Sequence, residues 1–141
     1  MSVYLDSSFV VSLYMTDAHS SEARRRILAV PSFVLTPLHL AEWAHALAQQ
    51  AFWGNLTRET ARRLNTDFIS DQAAGMWHQI GLPENAFERC ISLAQKHGPK
   101  LGIRTLDSLH VASALEFKAE RFWTFDERQA RLARAEGLKT A

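Results

Sequence analysis

Cysteine is almost missing from this chain: Cys90 is the single one, so an internal disulfide is excluded. That usage suits a reducing compartment. Cys90 lies in an apolar helical pattern, and a buried, inert thiol is expected. Long hydrophobic runs are missing too. Nothing approaches the roughly 18 apolar residues that a membrane-spanning helix needs. The opening Met1-Ser2-Val3-Tyr4-Leu5-Asp6 has no basic stretch and reaches an acid too soon for a signal peptide. The expectation is a cytoplasmic protein with no membrane contact. Charge of one sign is also in short supply: a net +1 does not by itself argue for polyanion binding. No G-x-G-x-x-G, Walker A or nucleophile elbow occurs, which removes the signals of dinucleotide, P-loop and serine-hydrolase chemistry. A receiver domain would need paired acids after its first strand and a late lysine, and has neither here. Internal repeats, linkers and low-complexity segments are absent as well.

What is there is ordinary for a globular chain. The 141 residues are 47% hydrophobic and 22% charged, enough for one domain over 1–141 with a proper core. Ser2-Val3-Tyr4-Leu5 reads as a buried first strand that stops at Asp6, with Ser7, Ser8 and an apolar helix to follow. A helix over 19–30 carries Arg24-Arg25-Arg26 and closes at Pro31. Phe33-Val34-Leu35-Thr36 is a second strand. Pro37 then opens a helix over 38–52, stopped by Gly54. Thr57 caps a fourth helix over 58–68. Over 69–83 the pattern breaks down, and 76–80 fits a short strand or a loop. A fifth helix spans 83–98, and Gly98-Pro99 and Gly102 turn the chain into the stretch 103–115. That stretch is apolar on most sides, so a buried helix is expected, capped by Thr105 or Ser108. Arg121-Phe122-Trp123-Thr124 is a buried strand. A helix over 127–136 ends at Gly137, and 138–141 is at most a stub of a last strand. Strands alternating with helices in this order give an α/β fold with a parallel sheet.

Four acids recur at matching places in that order. Asp6 and Asp126 each follow a strand, while Glu42 and Asp107 lie near the starts of helices. In a parallel sheet all four face one edge, where such folds keep their chemistry. The plain alternative for Asp6 and Asp107 is helix capping, which stabilises by about 0.3–1 kcal/mol through the helix dipole. Converging carboxylates repel one another, and a hard cation is the natural compensation. Oxygen-only ligation suits Mg²⁺ or Mn²⁺, whereas Zn²⁺ would call for His or Cys. Glu42-Trp43-Ala44-His45 fits the Glu-x-x-His of di-iron bundles, but the required second copy is missing. His39 and His45 are therefore read as packing or surface residues. His110, one turn after Asp107, is read mainly as a core hydrogen-bonding group. Basic residues gather at Arg24–Arg26, at Arg58 with Arg62-Arg63, and at Arg128 with Arg131 and Arg134. Each group alone is a solvated helix face. Together they make a phosphate-binding surface more plausible, with Arg24, Arg25, Arg58, Arg62 and Arg128 the candidate contacts.

The blocks Val3-Tyr4-Leu5-Asp6-Ser7-Ser8, Leu40-Ala41-Glu42, Arg104 to Leu115 and Trp123-Thr124-Phe125-Asp126 resemble the four acidic blocks of the PIN domain. In length and block order the chain is similar to the VapC-type toxin ribonucleases, over nearly its whole length. The resemblance implies a three-layer α/β/α sandwich around a mainly parallel sheet. It also implies an Mg²⁺ or Mn²⁺ site and endonucleolytic cleavage of RNA. Asp6, Glu42, Asp107 and Asp126 match the acidic, metal-holding positions. Thr124 matches the common hydroxyl two residues before the last acid, and Ser8 is a second supporting hydroxyl. A small antitoxin and a homodimer are the implied partners. Exposed apolar faces on the helices 38–52 and 58–68 agree with partners of some kind.

Two other functions compete. A catalytically silent RNA- or protein-binding module on the same fold is disfavoured because all four acids are present. A metal-dependent phosphatase is disfavoured because no Asp-x-Asp pair follows the first strand.

Overall fold

The computed structural model describes residues 2–140, in two compact units. Of the described residues, the first unit holds 2–8 and 82–140, and the second holds 9–81. In chain order the elements are β1 (Val3–Leu5), α1 (Ser7–Tyr14), α2 (Ser20–Ile27), β2 (Phe33–Leu35), α3 (Pro37–Phe52) and α4 (Arg58–Ala73). They continue with β3 (Trp77–Gln79), α5 (Ala86–Leu101), α6 (Thr105–Glu116), β4 (Arg121–Trp123) and α7 (Glu127–Ala135). Strands and helices alternate through most of the chain and every strand pair is parallel, as the hydrophobic pattern predicts.

In the first unit β1 pairs with β4, Val3 opposite Arg121, Tyr4 opposite Phe122 and Leu5 opposite Trp123. All three β1 residues are buried, which explains why the strand reads as an unbroken apolar run rather than an alternating one. The Tyr4 and Phe122 rings stack at 5.5 Å between centroids. Burying side chains of this size contributes about 1.5–3 kcal/mol each, which fixes the register on which the site depends. The Asp6 N–H still bonds to the Trp123 carbonyl (3.2 Å), so the pairing carries on to the first acid. The expected last-strand stub is a single parallel bridge from Lys139 to Arg121. Ala141 lies outside the described residues.

α6 is buried at every position from Ser108 to Ala114, in keeping with its apolar character on most sides. Two details of its entry differ from expectation. The capping position is Arg104, with no side-chain cap, and Thr105 is the first helical residue. Ser108 is a buried interior residue whose Oγ has no hydrogen-bond partner among the described residues. The preceding helix is displaced along the sequence rather than longer: α5 begins at Ala86, three residues later than expected, and continues through Pro99 to Leu101. Gly98 permits this, because a residue before proline is pushed out of the helical region chiefly by its own Cβ. The helix stops instead at Gly102, in the left-handed region at φ 60°, where a side chain would be strained. Cys90 is buried, as expected, its Sγ 3.7 Å from the Thr105 carbonyl.

The second unit has its own parallel pair, with Phe33, Val34 and Leu35 of β2 opposite Trp77, His78 and Gln79 of β3. The segment 69–83 is thus resolved into the last turn of α4, a three-residue strand and a connection. Thr57 caps α4 as expected, its Oγ1 accepting from the Thr60 N–H at 3.0 Å. An aromatic cluster of Tyr14, Trp43, Phe68, Trp77 and Phe33 fills the interior. The Tyr14 hydroxyl donates to Asp71 (2.6 Å) and accepts from the Trp77 indole N–H (2.8 Å). Burial is the main reason that its ionisation is pushed well above the ordinary tyrosine range, and the Asp71 carboxylate adds to the effect. His39 is buried, and its Nδ1 accepts from the Thr36 N–H at 3.0 Å. His45 is exposed, bonded through Nδ1 to the Ala41 carbonyl. Both are structural, as read. No helix among the described residues is long and apolar enough to cross a membrane.

Candidate active site

Three of the four candidate acids belong to the first unit, and a chain of hydrogen bonds links the segments that carry them. Asp6 follows β1 directly and is nearly fully buried, at 4% exposure. A carboxylate in that position is costly unless hydrogen bonds satisfy it. Ser8 Oγ donates to it at 2.8–2.9 Å, and Thr124 Oγ1 reaches its Oδ2 at 2.7 Å. Both hydroxyls thus bond to the first acid. Thr124 follows β4, the parallel neighbour of β1, so the register that pairs Leu5 with Trp123 is what brings Thr124 to Asp6. Thr124 Oγ1 also accepts from the Asp126 N–H at 2.9 Å. One hydroxyl thus joins two acids that lie far apart in sequence.

Asp126 is the N-cap of α7, its Oδ1 accepting from the Gln129 N–H at 3.0 Å. Capping uses that one oxygen. The other, Oδ2, stands 3.8 Å from the Arg104 guanidinium. Asp107 sits in the first turn of α6, and its Oδ2 accepts from Arg104 Nε at 2.9 Å. It is not the cap. Arg104 is thus a cation shared between Asp107 and Asp126, with its own side chain 69% exposed.

Glu42 belongs to the second unit, half-buried on α3. Of the basic candidates, Arg25 is engaged by Glu22 at 2.6 Å, and Arg24 reaches the Leu13 carbonyl at 3.4 Å. The two bonds from Arg25, joined by one from Arg26, hold the Glu22 carboxyl down to about 2. Arg58, Arg62 and Arg128 are exposed. His110 is buried between two hydroxyls, Tyr4 Oη at 2.8 Å from Nδ1 and Ser7 Oγ at 3.1 Å from Nε2. Its place is in the packing behind Asp6.

Two residues in this arrangement went unread in the sequence, although each carries a signal. Arg104 precedes Asp107 by three residues, the spacing of a helical ion pair. Gln129 follows Asp126 by three, the spacing of a capping box.

Chemically, the donors fit a hard divalent cation. They are carboxylate oxygens, and two of the three already share one positive group. Among the described residues, however, no three His, Cys, Asp or Glu side chains stand as a ready-made metal cluster.

The PIN domain profile matches residues 3–135, almost the whole chain and across both units. The chain belongs to the PIN-domain family. No curated protein matches it significantly in sequence. Solved structures do match in fold. VapC20 of Mycobacterium tuberculosis, a sarcin-ricin loop cleaving toxin, is 15% identical with a TM-score of 0.69 over 99% of this chain and 98% of its own. VapBC2 of Rickettsia felis, bound to a promoter DNA fragment, is 15% identical with a TM-score of 0.73, covering 100% and 98%. A toxin–antitoxin complex from Klebsiella pneumoniae is 16% identical with a TM-score of 0.63, covering 99% and 97%. At such identities the likeness is one of fold, and it agrees with the α/β arrangement of this PIN domain.

Proposed function

We propose that this PIN domain is an Mg²⁺- or Mn²⁺-dependent endoribonuclease, the toxin of a VapBC-type toxin–antitoxin pair. The observation that carries the reading is the hydrogen-bonded linkage of Asp6 and Asp126 through Thr124, with Asp107 joined to Asp126 by Arg104. Family membership supports it. So do the fold relatives: a sarcin-ricin loop cleaving toxin, a VapBC2 assembly and a toxin–antitoxin complex.

In this proposal Asp6, Asp107 and Asp126 hold the cation, and Ser8 and Thr124 fix the orientation of the Asp6 carboxylate. Glu42, in the second unit, is the remaining acid of the family pattern. A divalent cation there would supply Lewis-acid activation of the phosphodiester and of a water nucleophile. The protein's own part is to present fixed negative charge at a buried strand end and to keep Asp6 ionised. Two hydroxyl donors on that carboxylate favour its charged form. Exposed Arg128, in the same unit as these acids, contacts a flanking phosphate, giving affinity without sequence information, and exposed Arg58 and Arg62 are phosphate-contact candidates of the second unit. Arg25, tied to Glu22, contributes less. The profile match across both units supports treating them as one functional domain, at work in the cytoplasm as a homodimer held in check by a small antitoxin.

Induction in a bacterial host tests this reading. Wild type should arrest growth, and co-expression of the neighbouring reading frame should relieve the arrest. Asp6→Asn should grow normally. RNA binding without cleavage by the wild type would favour the silent binding module instead.

A further inference from the structure

Gln129 is buried to 1% exposure, and the established logic of capping accounts for only its backbone N–H. Its side chain makes two further bonds in opposite directions. Nε2 donates to the Asp107 carbonyl at 3.1 Å, and Oε1 faces Thr124 Oγ1 at 3.0 Å. The amide cannot be turned round, because a flip would set Oε1 against a carbonyl that has only lone pairs to offer. The carbonyl of Asp107 therefore fixes which end of Gln129 meets Thr124.

Thr124 has one hydroxyl proton and two acceptors for it, Asp6 Oδ2 at 2.7 Å and Gln129 Oε1 at 3.0 Å. Its lone pairs are turned to the Asp126 N–H. A single residue thus links the segments of all three acids. It reaches Asp126 by its own N–H, Asp107 by its amide nitrogen, and Asp6 through the Thr124 hydroxyl. We propose that Gln129 is the positioning residue of the acid site: it sets the spacing of Asp6, Asp107 and Asp126 and thereby the affinity for the divalent cation. The inference rests on the metal-site reading given above. Hydrogen-bond partners of metal-holding groups typically change affinity by about 10–100-fold when lost, and Gln129 acts on Asp6 through such a partner, Thr124. A buried amide that only satisfied itself would affect folding and leave cation binding alone.

The test is Mn²⁺ binding to the full chain, read from the electron paramagnetic resonance of free Mn²⁺, for wild type and Gln129→Met. The variant keeps the volume and removes both side-chain bonds. Its dissociation constant for Mn²⁺ should rise by about tenfold or more, with a cooperative melt retained. Unchanged affinity in Gln129→Met would overturn the positioning role while leaving the metal site intact. A wild type that binds no Mn²⁺ would instead overturn the site itself, and the proposed function with it.

Should Gln129→Met fail to fold, the wild type answers through its own Gln129 side-chain amide signal under Mg²⁺ titration. That ¹H–¹⁵N pair should shift saturably, in step with the Asp107 backbone. A Gln129 signal that stays fixed while Asp107 moves would refute the coupling.

Discussion

Replacing Arg104 by alanine separates two effects that act on the same atoms. In the folded protein Arg104 Nε lies 2.9 Å from Asp107 Oδ2, and a terminal nitrogen lies 3.8 Å from Asp126 Oδ2. Its side chain is 69% exposed, so water screens both contacts. Ion pairs of this kind contribute about 0–1 kcal/mol to stability, and Arg104→Ala should shift the unfolding free energy by no more than that. Cation binding responds differently. The guanidinium is a positive charge already placed on two of the proposed ligands, and an incoming divalent ion must displace it or work against it. Unit charges about 4 Å apart interact by about 1 kcal/mol in bulk water and about 4 kcal/mol at an effective dielectric of 20. The exposure of Arg104 points to the lower part of that range, about 1–2 kcal/mol. Removing it should therefore tighten Mn²⁺ binding by about five- to thirtyfold. Titration calorimetry at low salt reads the change directly, and added salt should shrink it. Unchanged or weaker Mn²⁺ binding in Arg104→Ala, with a normal melt, would refute the claim that Asp107 and Asp126 are cation ligands in competition with Arg104.

Other expectations follow from the same structure. Tyr14→Phe keeps the ring but loses the bond to Asp71 and strands the Trp77 indole N–H, costing about 2–4 kcal/mol in urea unfolding. Because the fold raises the ionisation of Tyr14, its contribution is complete below the ordinary tyrosine value near about pH 10. It is lost as pH rises beyond that, so wild type should lose stability in strong alkali more steeply than Tyr14→Phe. Cleavage by an activated water needs no 2′-hydroxyl, so mass analysis should find 3′-hydroxyl and 5′-phosphate ends. A 2′,3′-cyclic phosphate would contradict the mechanism. Light scattering at high micromolar concentration should show a dimer, and a strict monomer would remove the homodimer from the proposal.

Much of the site is legible in sequence because strand ends announce themselves. Buried apolar runs stop at Asp6 and just before Asp126, and a parallel pairing then puts both acids at the same end of β1 and β4. Thr57 is equally plain, since a hydroxyl before a helical pattern has one common use. Legibility fails where the decisive term is tertiary. β3 has only three residues, two of them exposed, too few for an alternation to be visible. Gly98-Pro99 looks like a stop because proline usually is one, and only the packed helix shows that Gly98 lets the turn continue. Arg104 and Gln129 stand at suggestive spacings, yet their roles depend on partners on other segments. Residue 129 meets residues 124 and 107 only once the fold has formed. Periodicity reports which face is buried; it is silent on which buried amide bridges two acids.

Asp6 is proposed to support RNA cleavage by holding a divalent cation. That role is tested most directly by incubating purified wild type and Asp6→Asn with total RNA and mapping new 5′ ends. Each protein is assayed with Mg²⁺ or Mn²⁺ and with EDTA. Discrete new ends are expected from wild type with either ion and none with EDTA. None are expected from Asp6→Asn, although that variant should fold and be at least as stable, since it removes a buried charge. Discrete cleavage by wild type that persists in EDTA, or by a folded Asp6→Asn, would contradict that role.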